Sequence, residues 1–225
     1  VLKTKASPYL LFKSDTADRS TLKGVNNGTG LKATVYKNYA YWNDNYGLDQ
    51  YNHSGFTIPM QPPSVYYGFN INYATSSEEQ MGRFGLKKNA ISYKIVWEGY
   101  LTLRKSRSTR DTDPEGDYRF SVSADNSFKL WIDDKLVLNA FPNDPRYYNN
   151  SSNSALFSDP VKLYHGKAYK IRVEHLQGEA GAQAILNWKK PNSALPGTVL
   201  VNNFHSSLAA AEAAIQKQTT SCISW

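Results

Sequence analysis

Apolar and polar positions alternate with a period of two along much of the chain, a pattern typical of strands with one buried face. Residues 93–103 alternate in this way, and so do residues 118–123. Further strands are predicted at 128–132, 135–138, 169–174 and 184–188. Short strands at regular spacing, with little helix, predict an all-β fold and in particular an antiparallel β-sandwich.

The connecting segments differ in character. Asp133 and Asp134 separate two alternating runs and are typical of a tight hairpin turn. Residues 40–75 are rich in Tyr, Asn and Gly, which favours long ordered loops over regular strands. Ser207 precedes a run of strong helix formers at 208–217, which predicts a short C-terminal helix. The strand tryptophans are predicted to lie in the core, and they are Trp97, Trp131 and Trp188.

Composition narrows the class of protein. The 225 residues suit one large domain, and 40% of them are apolar, enough for a sizeable core. No apolar run approaches the ~20 residues that span a bilayer, so membrane insertion is not expected. The single cysteine, Cys222, excludes an internal disulfide framework.

The net charge of +7 does not indicate nucleic-acid binding, because most of the basic residues are scattered along the chain. The densest basic run, 104–110, is followed at once by acidic residues that include Asp111 and Asp113. We interpret this segment as a solvated loop whose charges compensate one another.

No phosphate-binding glycine loop or nucleophile elbow is present, and the four histidines stand far apart, so an enzyme is not predicted. Two loop segments carry oxygen donors, 123–127 and 177–181. Ca²⁺ prefers carboxylate, amide and backbone carbonyl oxygens, so the two loops together would hold one ion if they meet. In the alternative interpretation, Asp125 and Asn126 simply form a turn.

A longer stretch, 118–139, resembles the PA-14 domain family of lectin-like β-sandwiches. The family hallmark is a strand, then Ser-x-Asp-(Asp/Asn), an apolar strand containing Trp, an acidic turn and a Val-rich strand. Residues 30–36 resemble the family's opening strand, and 97–101 its Trp-x-Gly strand. Residues 170–174 together with 184–188 are similar to the closing hairpin, so the resemblance covers about residues 30–200.

The resemblance implies a ligand site. In sugar-binding members an Asp-Asp pair holds Ca²⁺, and the ion coordinates glycan hydroxyls. The matching residues here are Asp125 and Asn126, of which Asn126 lacks the second negative charge. A second family loop matches 177–181 and implies Gln177 and Glu179 as further metal ligands. The other residues expected to contact the glycan are Gly178 and Ala180 in that loop, Tyr147 and Tyr148 on a rim, and Trp42.

The sequence therefore predicts a non-catalytic, calcium-dependent carbohydrate-binding adhesion module of a secreted or cell-surface protein. Its partners would be glycans or glycoproteins on a cell surface, within a larger multidomain chain or assembly. The alternative is a structural or protein-interaction module of a toxin, pilus or cell-wall assembly without sugar binding. The expected organisation is an N-terminal extension packed on the domain (1–29), the sandwich (30–200) and a C-terminal tail with the helix (201–225).

Overall fold

The structure is a computed structural model that describes residues 27–37, 64–69, 71–74, 78–86, 93–106, 108, 111–125, 127–140, 157–177 and 183–223. These residues form two antiparallel sheets with two helices. The strands are β1 Leu31–Lys37, β2 Ser64–Phe69, β3 Asn72–Ala74, β4 Tyr93–Leu101, β5 Gly116–Asp125, β6 Ser127–Ile132, β7 Lys135–Ala140, β8 Val161–Leu163, β9 Tyr169–Gln177, β10 Gln183–Lys189, β11 Gly197–Thr198 and β12 Phe204–His205. The helices are α1 Glu78–Arg83 and α2 Leu208–Ile223.

The larger sheet has seven strands in the order β2-β1-β4-β9-β6-β7, and β12 pairs with the end of β4. The smaller sheet has the order β11-β10-β5-β8, and β3 pairs with β10. The chain passes from the smaller to the larger sheet between Asp125, the last residue of β5, and Ser127, the first residue of β6. One residue thus joins the two layers of the sandwich at this point.

The core lies between the sheets and is strongly aromatic. Trp97 of β4 and Trp188 of β10 are almost completely buried. The ring of Phe84, just after α1, packs edge-on against Trp97 with a centroid separation of 6.1 Å. Tyr118 lies 4.9 Å from Trp188 between ring centroids. These large rings fill the space between the layers and supply much of the apolar burial that holds the sandwich together.

Residues near the start of β1 meet residues near β12. The Gly30 amide donates to the Phe204 carbonyl at 2.7 Å, and the Ser206 amide donates to the Gly28 carbonyl at 3.1 Å. β12 itself pairs with Leu101, the last residue of β4. The segments that lead into and out of the sandwich therefore lie together, at the end of β4 that is remote from Tyr93.

The all-β sandwich, the strands and the C-terminal helix predicted from the sequence are confirmed, and Asp133 and Asp134 form the β6–β7 turn with φ of 48° and 62°. The loop prediction for 40–75 is wrong at its end, because β2 and β3 lie there. The α2 helix extends beyond 217 to Ile223. No helix in the described part of the chain is long and apolar enough to cross a membrane.

Two further expectations need correction. Trp131 is half-buried on the outer face of the larger sheet, where the Arg172 guanidinium lies 4.9 Å from its ring centroid, because Leu130 and Ile132 occupy the core-facing positions. Asp113 is not solvated, since its side chain is fully buried. It does pair with Arg104 of the basic run, as the expected charge compensation requires.

Candidate functional site

The candidate site lies at the end of β5, where Asp125 is exposed. Successive residues of a strand point to opposite faces, so Ser123 and Asp125 share the outer face of the smaller sheet. Asp125 pairs in register with Gln183, the first residue of β10, and the Gln183 side-chain amide donates to the Ser123 hydroxyl at 2.8 Å. Gln183 lies two residues after the 177–181 segment and Gln177 ends β9, so the strand ends that flank this segment lie at the same end of the sandwich as Asp125.

A buried histidine joins the two sheets at this end. His175 of β9 is completely buried, and its Nε2 lies 2.9 Å from the Asp125 carbonyl oxygen. A carbonyl can accept but not donate, so Nε2 carries the proton and donates. Burial lowers the pKa of His175 to about 4, although the bond to Asp125 opposes this change. The ring is therefore neutral at pH 7 and donates as the Nε2–H tautomer.

The Asp125 carboxylate has an unusual electrostatic setting for an exposed group. Partial burial raises its pKa above the ordinary value, and no basic side chain of the described residues offsets this by pairing with it. Elsewhere on the surface acidic groups do have such partners, as in the Lys32–Glu98 pair at 2.9 Å. Among the described residues, Asp125 is thus a partly desolvated carboxylate without a cationic partner.

Gln177 lies at the end of β9, but its side chain is fully buried on the core-facing side, opposite Tyr93 in the register. Its carboxamide thus lies inside the sandwich, whereas Asp125 is exposed on the outer face. The remaining predicted site residues lie outside the described residues, and they are Asn126, Gly178, Glu179, Ala180, Tyr147, Tyr148 and Trp42.

Any calcium ion at this end would be held with little ligand charge. Within the described residues, no three His, Cys, Asp or Glu side chains cluster closely enough to hold a metal ion. An ion at Asp125 would therefore take its other oxygens from amides, backbone carbonyls and water, all of which Ca²⁺ accepts. Low ligand charge weakens binding, and an affinity of about 10⁻⁴–10⁻³ M is typical of extracellular calcium modules.

Sequence reasoning missed two residues at this end, His175 and Gln183. Side chains alternate along β9, so His175 lies on the same face as the buried Ile171 and Val173, and this pattern indicates that His175 is buried too. Its hydrogen-bond partner is on another sheet, so no local pattern indicates the contact. Gln183 gives no signal by itself, because its role follows from its register with Asp125.

Comparison with known proteins places the fold in context. The profile of the PA14 domain matches residues 28–200. The chain is 26% identical to the protective antigen of Bacillus anthracis over 102 residues, which is 45% of this chain and 10% of that protein. It thus spans about a tenth of the length of this curated relative.

Solved structures share the fold at low sequence identity. The Epithelial Adhesin 9 A domain from Candida glabrata, solved in complex with Galb1-3GlcNAc, superposes with a TM-score of 0.50 at 12% identity, covering 80% of this chain and 94% of that one. An anti-sigma factor domain-containing protein also gives a TM-score of 0.50, at 20% identity, over 80% of this chain and 48% of that one. The family profile covers most of the chain, and the chain therefore belongs to the PA14 domain family.

Proposed function

We propose that this PA14 domain is a non-catalytic carbohydrate-binding module of a secreted or cell-surface protein, with its ligand site at the Asp125 end of the sandwich. The observation that carries the proposal is that Asp125 pairs in register with Gln183, the first residue of β10, so the strand ends that flank the two loop segments lie together. Glycans bind weakly to single groups, and a site built from two loops offers several polar contacts to one sugar.

Calcium is part of the proposal. Asp125 supplies the carboxylate, and Asn126 supplies an amide oxygen at the position where family members carry a second Asp. The partly desolvated Asp125 carboxylate has no described cationic partner, which supports a role for a bound cation. When bound, the ion would supply a Lewis-acidic contact to vicinal hydroxyls of the sugar.

The ligand class is a glycan on a cell surface, and the chain is proposed to act within a larger protein. A structural relative was solved with a galactose-containing disaccharide, and we take Galb1-3GlcNAc as the first probe. The module would supply reversible adhesion and no turnover.

Calcium titration by calorimetry, followed by a glycan array in calcium and in EGTA, tests this proposal. The wild-type domain is expected to bind calcium in the millimolar range and to bind glycans only when calcium is present. Asp125→Ala is expected to abolish both signals. Asp117→Ala is the matched control, because Asp117 is also exposed and lies near the other end of the same strand on the same face. Equal glycan binding by wild type and Asp125→Ala would refute the site.

A protein-interaction module is the second candidate, and one surface favours it. A cross-strand row on the outer face of the larger sheet consists of Leu136, Trp131 and Arg172. Leu136 is 47% exposed, and the Arg172 guanidinium stacks over the Trp131 ring. Trp and Arg are the residue types that dominate binding energy at protein interfaces.

One pair of variants, together with the wild-type domain, separates the two candidates. If glycan binding is the function, Leu136→Asp leaves the array signal intact, while Asp125→Ala removes it. If the wild-type domain shows no calcium heat, no thermal shift at millimolar calcium and no array signal, the glycan proposal is wrong and the interaction module takes its place.

A further inference from the structure

The peptide bond after Asp125 lies at the candidate site. Asp125 ends β5 in the smaller sheet, and Ser127 begins β6 in the larger sheet, so residue 126 alone carries the chain across. The Asp125 carbonyl belongs to the peptide that links residues 125 and 126. The orientation of this peptide therefore bears on how the end of β5 presents the Asp125 carboxylate.

His175 holds this peptide from the opposite sheet. Its Nε2 donates to the Asp125 carbonyl at 2.9 Å, and the ring is completely buried. Tyr93 lies next to the ring, with the centroids 6.2 Å apart, and Phe128 is directly opposite in the register of β6. A ring enclosed in this way cannot swing freely, so its N–H is fixed in direction before any ligand arrives.

A polar ring at this position is costly without such a bond. His175 continues the core-facing row of Ile171 and Val173, and a side chain of similar volume such as Leu would suit that row. Burying an imidazole in an apolar layer is unfavourable unless its polar atoms are hydrogen-bonded. The bond to Asp125 offsets part of this cost and ties the ring to the site.

We propose that His175 is a positioning residue for the candidate ligand site: from the core it fixes the carbonyl of Asp125 and so holds the strand end that presents the Asp125 carboxylate. This inference rests on the proposed function of the Asp125 end. His175 would not touch the ion or the sugar and would act through the carbonyl of Asp125.

Calcium affinity and thermal stability, measured side by side, test the inference. In His175→Leu the donor is lost while the volume is kept, and calcium affinity is expected to fall by ~10-fold or more, as it does when groups that orient metal ligands are removed. In His175→Gln an amide nitrogen stands near the place of Nε2, and much of the affinity should return. Val173→Ala is the stability control, because Val173 is a fully buried neighbour on the same face of β9.

The outcomes separate a positioning role from a purely structural one. Val173→Ala should lower the melting temperature and leave the calcium affinity within about twofold of wild type, since it makes no bond to the site. If His175→Leu is folded and binds calcium as wild type does, the positioning role is wrong. If the loss of calcium affinity in Val173→Ala and His175→Leu is proportional to the fall in their melting temperatures, the positioning role is also wrong. If wild type itself binds no calcium, the proposed function fails, and this inference fails with it.

A readout that needs no calcium accompanies these titrations. The backbone amide of residue 126 belongs to the peptide that His175 holds, so its NMR shift reports on that peptide in the calcium-free domain. His175→Leu is expected to shift or broaden this signal, whereas Val173→Ala should leave it in place. An unchanged amide signal in His175→Leu would contradict the inference even before metal is added.

Discussion

The buried carboxylate of Asp113 accepts a 2.6 Å hydrogen bond from the ammonium of Lys190. Arg104 donates to the same carboxylate from Nε and Nη2 at 3.1 and 3.2 Å, and the Asn203 amide donates at 2.7 Å. Asp113 thus connects the segment after β4, the end of β10 and the turn before β12. This ionic cluster lies near the start of β5, whereas the candidate ligand site lies at its end.

Replacement of Asp113 by Asn is expected to lower the free energy of unfolding by ~3–5 kcal/mol, because Arg104 and Lys190 would lose their common anion. Equilibrium unfolding in urea measures the change. Asp117→Asn, at an exposed position nearby on β5, should stay within ~0.5 kcal/mol of wild type. A similar small effect for Asp113→Asn would show that the cluster contributes little to stability.

Acid should weaken the fold through His175. Its pKa falls from 6.5 to about 4 on folding because the ring is buried. The unfolded chain therefore binds a proton below pH 6.5 that the folded chain does not bind until about pH 4. The stability from the neutral ring is fully present above pH 6.5 and is lost as the pH falls toward 4, by up to ~3 kcal/mol.

Urea titrations in EGTA at several pH values check this prediction. The His175→Gln variant is expected to show a flatter profile between pH 6.5 and 4, because glutamine does not titrate. Burial also lowers the pKa of His205, so this second histidine makes the free energy of unfolding fall with decreasing pH in both proteins. An identical slope in wild type and variant would mean that His175 does not carry the effect.

Gly99 is expected to tolerate no side chain. A Cβ at this position would collide with the backbone carbonyl oxygen of His205 and would lie 2.8 Å from Cδ2 of Leu31. Gly99→Ala should therefore displace β12 and lower the free energy of unfolding by ~1–3 kcal/mol.

Gly82 supplies the matched control for this effect. A Cβ on Gly82 would meet no atom within 4 Å, and Gly82 lies in helix α1. Gly82→Ala should raise the free energy of unfolding by ~0.5–1 kcal/mol. Thermal unfolding followed by circular dichroism measures both variants, and equal changes in the two would contradict the close approach at Gly99.

The β6–β7 turn offers a stabilising substitution. Asp134 is exposed and has a positive φ of 62°, a conformation that glycine adopts without strain. Asp134→Gly is expected to raise the free energy of unfolding by ~0.5 kcal/mol or more, since the lost contact to Lys170 is at the surface. Asp133→Gly relieves the same backbone strain but also removes the hydrogen bond that the Asp133 carboxylate accepts from the Lys170 backbone amide, so it should be ~1 kcal/mol less stable than Asp134→Gly. Urea unfolding of the two variants measures this difference.

The strands were predictable because alternation is a local signal. Residues 118–123 carry the alternation without interruption, and the structure places them within β5. β2 was not predictable in this way, because its position is set by pairing with β1, where Tyr66 lies opposite Ala33. Pairing with a distant strand is a tertiary effect that composition does not reveal.

The candidate site was predictable in part. The motif around Asp125 indicated its place at a strand end, and the parity of β9 was enough to place His175 inside. The contact between the two residues was not predictable, since it depends on how the sheets face each other. Trp131 is a different case, because its position could have been predicted from the sequence. Side chains alternate along β6, and counting from the core-facing Leu130 places Trp131 on the outer face.

The joining of Gly30 to Phe204 and of Gly28 to Ser206 has a consequence for how the domain would be displayed. The chain enters the sandwich at residues 28–30 and leaves it at residues 204–206, and both points lie at a single pole, beside the Asp113 cluster. The tip that carries Asp125 lies at the far pole, so a neighbouring domain packed against the pole with residues 28–30 would leave that tip accessible.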